Sequence, residues 1–413
     1  MIKRKPSLSE KLKSLGVRVG TNSLEQGTSE KKFPIEKVVP GFYQDTPFGE
    51  AFIVESHYPP DHRQGSIGLK LETPLNTIAT WVGDERLKDC KPEEMIFLDT
   101  ETSGLSGGTG TYAFLIGIGH MTQTGFHLIQ YFMRDPFEEP AQLAAFSSFL
   151  KDHHGLVTFN GKSFDVPILN TRFITNGEIS PIKSNVHLDL LPLARRIWRD
   201  RLPSRSLASL EQHILGSNRT QEDVPGWLIP NLYFDYLRDG DARPLKNVFY
   251  HNAMDILSLA ALLNLISSLI EEPRNISSQH ALEILAAAKL YEDVGNTSEA
   301  AVLYSRSLEC NLPGQFQCEA IRRWSFLEKR SGNLDTALEL WFQATSLDEI
   351  YAFVEIAKYY EHRMRNFTEA LQWTNTALTI ISRNNFSPVE RWKWESDLQH
   401  RQSRLLNKIS RHS

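Results

Sequence analysis

The chain has 413 residues, with 45 Lys and Arg against 50 Asp and Glu and a formal charge of −5, so nothing global draws it to nucleic acid and any such partner needs a local basic patch. Its length admits about two or three domains, and 41% hydrophobic with 23% charged residues is the composition of an ordinary soluble protein. Cys90, Cys310 and Cys318 show no C-x-x-C spacing, which argues against a disulfide framework or a zinc knuckle and fits a reducing cytoplasm.

Residues 1–40 are rich in Lys, Glu and Ser and read as a mobile arm. The basic start lacks the apolar core of a secretory signal. Nowhere is an apolar run expected to approach the roughly 18–20 residues of a membrane span, and no membrane partner is expected. Residues 41–90 combine strand-like AFIVESHY with a helix in PLNTIATWVGDERL and read as a lead-in that packs on the next domain.

Residues 91–272 alternate strand and helix. MIFLDT, TYAFLIGIG and FHLIQYFM predict an antiparallel trio of strands. EEPAQLAAFSSFLKDH predicts a helix, GLVTFN a strand, FDVPILNTRFI a helix and HLDLL a short strand. NVFYHNAMDILSLAALLNLISSLIEE predicts a long helix, with Pro244 shortly before it, where a missing N–H costs least. EEPRNISSQ, residues 271–279, reads as a linker.

From 280 to 411 the pattern is helical with an internal echo. Asn296, Asn333 and Asn366 recur at offsets of 37 and 33 residues, followed at constant spacing by Ala300, Ala337 and Ala370, then Ser307, Ala344 and Ala377. A period near 34 with small residues at fixed positions suits tetratricopeptide-like helix pairs, the alternative being a generic helical bundle. NNFSPVERWKWESDLQHRQSRLL predicts an amphipathic closing helix. Stacked pairs of this kind form grooves that suit a protein partner.

The chemistry concentrates in acidic residues. In MIFLDTETSG, a buried strand ends by placing Asp99 and Glu101 on one face, about 7 Å of chain apart. A cation between them, Mg²⁺ or Mn²⁺ with hard oxygen ligands, answers the repulsion; a solvated strand end is the plainer reading. In TFNGKSFDVPIL, Asp165 opens a helix, where its charge is favourable in any case. In HNAMDILSL, His251 and Asp255 share one helix face at i and i+4, either at a site or as a simple pair on a solvated rim.

Asp99-Thr-Glu101, Asn160-x-x-x-Phe164-Asp165 and His251-x-x-x-Asp255 together resemble the three motifs of the DEDD exonucleases, which have a ribonuclease H-like fold. The chain is similar to the YprB-type family, which joins such a domain to tetratricopeptide repeats. FLDTETSGLSGGTGTYAFLIGIG, TFNGKSFDVPIL, EDVPGWLIPNLYFDYLRDGD and HNAMDILSL carry that resemblance, over roughly residues 50–380. It implies an α/β ribonuclease H-like domain, a mixed sheet flanked by helices, at 91–272, followed by all-α tetratricopeptide-like repeats at 280–411. It implies Asp99, Glu101, Asp165 and Asp255 as carboxylates for two Mg²⁺ or Mn²⁺ ions, in a metal-dependent 3′→5′ exonuclease acting on a single-stranded end of DNA or RNA.

The family's proton-handling residue is a Tyr four before the last Asp or a His five before it. Here His251 stands four before Asp255, and Tyr250 five before. Position i−4 shares the helix face and i−5 is turned off it by about 140°, so His251 is preferred and Tyr250 held in reserve. The rival reading is a nucleic-acid-binding or protein-interaction adaptor that keeps the fold without cleaving.

Other features carry both a functional and a structural reading. Arg195, Arg196 and Arg199, with Arg201, Arg205 and Trp198, suit phosphate contacts and base stacking, or else a solvated helix face. Asn160, Lys162 and Phe164 lie where substrate would approach Asp165. His187 and Asp189 repeat the i, i+2 geometry, and structural roles are preferred. Gly-rich SGLSGGTGTY lacks a G-K-[ST] ending and reads as a hairpin turn. His57 and His62 flank YPPD and, with no Cys or acidic spacing beside them, read as a surface hairpin.

Overall fold

The computed structural model describes residues 33–104, 110–184, 186–383 and 386–412. Most of the expected arm lies outside the described residues, as do residues 105–109 of the Gly-rich turn, whose stem is closed by Ser103 N–H donating to Tyr112 O at 2.9 Å. The arm's last residues belong to the folded body: Ile35 is fully buried and Phe33 bridges to Asp241.

Strands β1 (Phe42–Thr46) and β2 (Gly49–Tyr58) precede a small hairpin of β3 (Arg63–Gln64) and β4 (Ile67–Gly68) and helix α1 (Asn76–Val82). Then come β5 (Met95–Thr102), β6 (Ala113–Thr122), β7 (Gly125–Phe132), α2 (Glu139–Leu150), β8 (Gly155–Thr158), α3 (Asp165–Thr175), β9 (Val186–Asp189) and α4 (Leu190–Trp198). A short α5 (Leu207–Leu210), α6 (Ile229–Asp239) and the long α7 (Leu245–Glu271) complete this part.

The main sheet has seven strands in the order β1-β2-β7-β6-β5-β8-β9. The β5–β6–β7 trio is antiparallel, as the alternating sequence requires, while β8 and β9 run parallel to β5. The lead-in does more than pack on this sheet: β2 pairs along β7, so β1 and β2 extend it. Period-two alternation splits the strands between two cores. Ile53, Ile96, Ile118 and Ile129 pack with α2 and α3, and Phe97, Phe126 and Leu128 pack with α7 and α4.

Helix α7 lies close against β6 because two glycines make room. A Cβ on Gly117 would fall 2.0 Å from Asn252 Oδ1, and one on Gly119 would fall 2.6 Å from Ile256 Cγ2. With 27 residues and an 18-residue stretch of mean hydropathy 1.9, α7 is long and apolar enough by length and composition to cross a membrane, contrary to the expectation from apolar run length. Within the fold it is a core helix, with Ile256, Leu257, Ala261, Leu262 and Leu263 fully buried.

The C-terminal part is all-helical: α8 (Ala281–Asp293), α9 (Thr297–Glu309), α10 (Gly314–Ser331), α11 (Leu334–Thr345), α12 (Ile350–His362), α13 (Phe367–Arg383) and α14 (Pro388–His412). The echoed small residues Ala300, Ala337, Ala370, Ser307, Ala344 and Ala377 are all fully buried, and Asn296 and Asn366 cap their helices by accepting from Glu299 N and Glu369 N. The first half of the expected linker is pinned to the helices on either side of it. Glu271 accepts from the amides of Thr77 at 2.7 Å and Ile78 at 3.2 Å, and Arg306 donates to Pro273 O and Arg274 O.

Candidate active site

Strand β5 outruns its parallel neighbour. The β5–β8 pairing stops at Phe97–Val157, so Asp99 and Glu101 stand beyond it, at the strand's C-terminal end. Their side chains share the face covered by α7, as the strand period demands. A register irregularity between Glu101 and Thr102 closes the strand there.

Helix α7 supplies His251 and Asp255 one turn apart. Ligand atoms of Glu101, His251 and Asp255 all lie within 4.8 Å of one another. Asp99 is steered into the same region by Asn252, whose amide donates to Asp99 Oδ2 at 2.9 Å. Asn252 is fully buried, and Gln130 Nε2 donates to its Oδ1 at 2.9 Å, which fixes the amide's orientation. Asp165 arrives from the far side of the sheet at the start of α3, where Thr100 Oγ1 donates to its Oδ1 at 2.6 Å.

The electrostatics of this group are lopsided. Burial, and then the negative charges of Asp255, Glu101 and Asp165, push the Asp99 carboxyl well above its ordinary value. Glu101 is raised in the same way, by burial and by Asp255 and Asp165. Burial pushes Asp165 up to about 6 in spite of the Thr100 hydrogen bond. Carboxyls whose charged forms are disfavoured by burial and by one another could hold a hard divalent cation.

Arg219, which sequence reasoning did not single out, reaches into this site from the segment after α5. Its guanidinium hydrogen-bonds Asp255 and forks onto Glu211, both bonds at 2.7 Å. Burial works against that charge, but Glu211 and Asp255 outweigh it and raise the Arg219 pKa. Glu211 in turn accepts from Ser258 at 2.6 Å. His251 Nδ1 lies 2.7 Å from Asp223 Oδ1 and 3.0 Å from Arg219, and its Nε2 lies 3.5 Å from Asp255 Oδ2. Asp223 stands in the EDVPGW stretch that carried part of the resemblance. Asn252 had a signal as well, since an Asn on the apolar run of a buried helix needs partners. Nothing in periodicity pointed to Arg219 or Glu211.

The remaining sequence candidates are spread more widely. Tyr250 accepts from Thr220 N at 3.3 Å. Asn160 takes a left-handed turn (φ 64°), and its amide and that of Lys162 donate to Asp189, which also caps α4 through Leu191 N. Asp189 thus holds the loop that delivers Asp165. Lys162 is exposed, and Phe164 packs on the α2–α3 core. His187 Nε2 is 2.8 Å from Thr158 Oγ1.

The Arg-rich stretch differs from the expected stacking patch. Trp198 is 1% exposed in the core and offers no face to a base. Arg196 pairs with Asp293 and Arg201 with Glu283, both on α8, because amphipathic α4 turns its basic rim toward the helical part. Arg195 and Arg199 remain exposed, Arg199 beside Asp200.

A family model described as RNase_H superfamily matches residues 96–267. Among solved structures, the family B DNA polymerase from the hyperthermophilic archaeon Pyrobaculum calidifontis aligns with 51% of this chain at 15% identity and a TM-score of 0.34, the match spanning 29% of that polymerase. The Bacillus subtilis (strain 168) protein bearing the name "Uncharacterized protein YprB" is 30% identical over 394 residues, covering 91% of this chain and 93% of its own. At that identity and coverage the chain belongs to the same family as Bacillus subtilis YprB, with an RNase H-like superfamily domain at its centre.

Proposed function

We propose that the protein is a metal-dependent phosphodiester hydrolase of the 3′→5′ exonuclease type. The observation that carries the reading is the meeting of Glu101, His251 and Asp255 within 4.8 Å at the end of β5, with Asp99 held beside them by Asn252. Asp99, Glu101, Asp165 and Asp255 are the residues that would hold two Mg²⁺ or Mn²⁺ ions. Bound there, such ions neutralise phosphate charge and make water more acidic.

The chain's own groups do the rest. His251, hydrogen-bonded at Nδ1, turns Nε2 toward the carboxylates, where it takes up the proton of the attacking water. Arg219 balances Asp255 before substrate arrives and, being cationic, can move from that carboxylate onto a phosphate oxygen. Exposed Arg195 and Arg199, with Lys162, Asn160 and Phe164, are the groups proposed for the nucleic-acid strand. The helical part at 280–411 is proposed as a tetratricopeptide-like platform that recruits a protein partner, and the protein is proposed to work in the cytoplasm.

One observation favours a second reading, a binding adaptor without cleavage: Arg219 already engages an Asp255 oxygen that the hydrolase would use. Incubating the full chain with a 5′-labelled single-stranded oligonucleotide and Mn²⁺ separates the two. Stepwise shortening from the 3′ end that stops on adding EDTA supports the hydrolase. Retention of intact oligonucleotide, unchanged by EDTA, supports the adaptor and overturns the hydrolase.

A further inference from the structure

On the other face of the sheet from Asp99 and Glu101, the strand register aligns three histidines in a row. His57 on β2 is the direct partner of His127 on β7, which is itself the partner of His120 on β6. Glu55, two residues before His57, falls on the same face. Directly opposed side chains on one face have Cβ atoms about 4.5–5.5 Å apart, close enough to share a ligand. The row lies near the β6–β7 turn, and the acidic site lies toward the opposite ends of those strands.

The geometry is that of a donor set. Ligand atoms of Glu55, His57 and His127 all lie within 4.8 Å of one another. The His57 and His127 rings stack 4.1 Å apart at 10°, so joint coordination of one ion requires the exposed His57 ring to turn its lone pair toward His127 Nε2. His127 Nδ1 is 3.3 Å from His120 Nε2, so one ring nitrogen of His127 is engaged. The other, Nε2, is buried with no hydrogen-bond partner among the described residues, and the nearest charged group to it is Glu55 Oε2 at 3.4 Å. An orphaned imidazole nitrogen between a carboxylate and a second imidazole is costly unless something binds it.

We propose that Glu55, His57 and His127 form a second metal centre that takes a zinc-class divalent ion and leaves its fourth position to water. Two imidazoles and one carboxylate make the borderline-soft set typical of Zn²⁺, unlike the all-oxygen set that suits Mg²⁺. The His127–His120 hydrogen bond orients the ring and fixes its tautomer, the support that metal-bound histidines generally have. His120 itself packs edge-on against the stacked Phe149 and His153 rings, with centroids 5.1 and 5.2 Å away, which holds it in place. His62 takes no part, since its ring packs edge-on against Tyr58.

The spacing of the sequence conceals this centre: the third ligand stands 70 positions from His57 and is brought in by strand pairing alone. The test is a titration of the full chain carrying Asp99→Asn and Asp255→Asn, with Zn²⁺ competed against a chromophoric chelator. Those two changes remove the acidic site from the measurement, so the outcome is independent of any hydrolysis. One equivalent of bound Zn²⁺ is expected, lost on adding His57→Ala, which lies at an exposed position, or His127→Gln. His120→Phe, which keeps the ring but not the acceptor, should weaken binding about 10–100-fold. Co²⁺ in place of Zn²⁺ should give the visible absorption of a four-coordinate site. Absence of bound Zn²⁺, or one equivalent still held when both His57 and His127 are replaced, overturns the proposal.

Discussion

Two regions of the molecule bury carboxylates, and they treat them in opposite ways. In the helical part, Glu361 is fully buried yet surrounded by base: Arg401 at 2.7 Å, Arg404 at 2.8 Å and Lys408 at 2.8 Å, all on the closing helix α14. Burial opposes its charge, but hydrogen bonds from Arg404 and Lys408 prevail and bring Glu361 down to about 2. At the end of β5, Asp99, Glu101 and Asp165 are all raised, by burial and by the negative charge of neighbouring carboxylates. A structural charge is balanced by the chain that buries it. A cluster left in excess is arranged for something that comes from outside.

The largest expected effect is at the unbalanced end. Asp99→Asn or Asp255→Asn should bring metal-dependent hydrolysis to background while circular dichroism stays unchanged, because a neutral amide at 99 relieves repulsion and Arg219 keeps Glu211 when 255 is neutral. His251→Gln should cost about 10²–10⁴-fold in turnover and remove a titration from the pH–rate profile, the mark of a proton-handling group. Asn252→Ala, which touches Asp99 without being a ligand, should cost about 10–100-fold, read as weakened metal dependence.

Arg219→Ala sharpens the comparison without touching a carboxylate. It leaves Asp255 and Glu211 without their guanidinium, so the melting temperature should fall and the rise on adding Mg²⁺ should exceed that of the unaltered chain. The smallest effect on activity belongs to the balanced region. Glu361→Gln should leave hydrolysis unchanged and lower the melting temperature by several degrees. Its pH dependence follows from a folded pKa below the ordinary 4.5: the stabilisation is fully present above about 4.5 and is lost as the pH falls toward 2. The variant should therefore show a smaller acid-induced drop in that window than the unaltered chain, by Glu361's share alone.

How much of this was readable beforehand follows the kind of signal each part leaves. The β5–β6–β7 trio was legible because alternation has a strict period, and the same period put Asp99 and Glu101 on one face. The buried Ala300, Ala337 and Ala370 were legible because a repeat writes the same packing constraint at matching positions. β2 was legible as a strand but not as a member of the main sheet, since pairing partners leave no mark in a local pattern.

The same limit hid Arg219 and Glu211, which come from an irregular turn whose position depends on the helices around it. It also hid the destination of the Arg-rich stretch. A basic helix rim facing solvent and one facing Asp293 and Glu283 have the same sequence, and only the packing of α8 decides between them. Arginine density therefore marks a charged face, and the partner of that face is a tertiary property.

The most direct test of the imbalance is to count the Mn²⁺ it takes up, by electron paramagnetic resonance of the free ion during titration of the full chain. The account predicts that the unaltered chain removes Mn²⁺ from solution and that Asp99→Asn combined with Asp255→Asn abolishes this uptake, while Glu361→Gln leaves it as it was. Equal uptake by the double variant would contradict the claim that these carboxylates are left in excess for a metal.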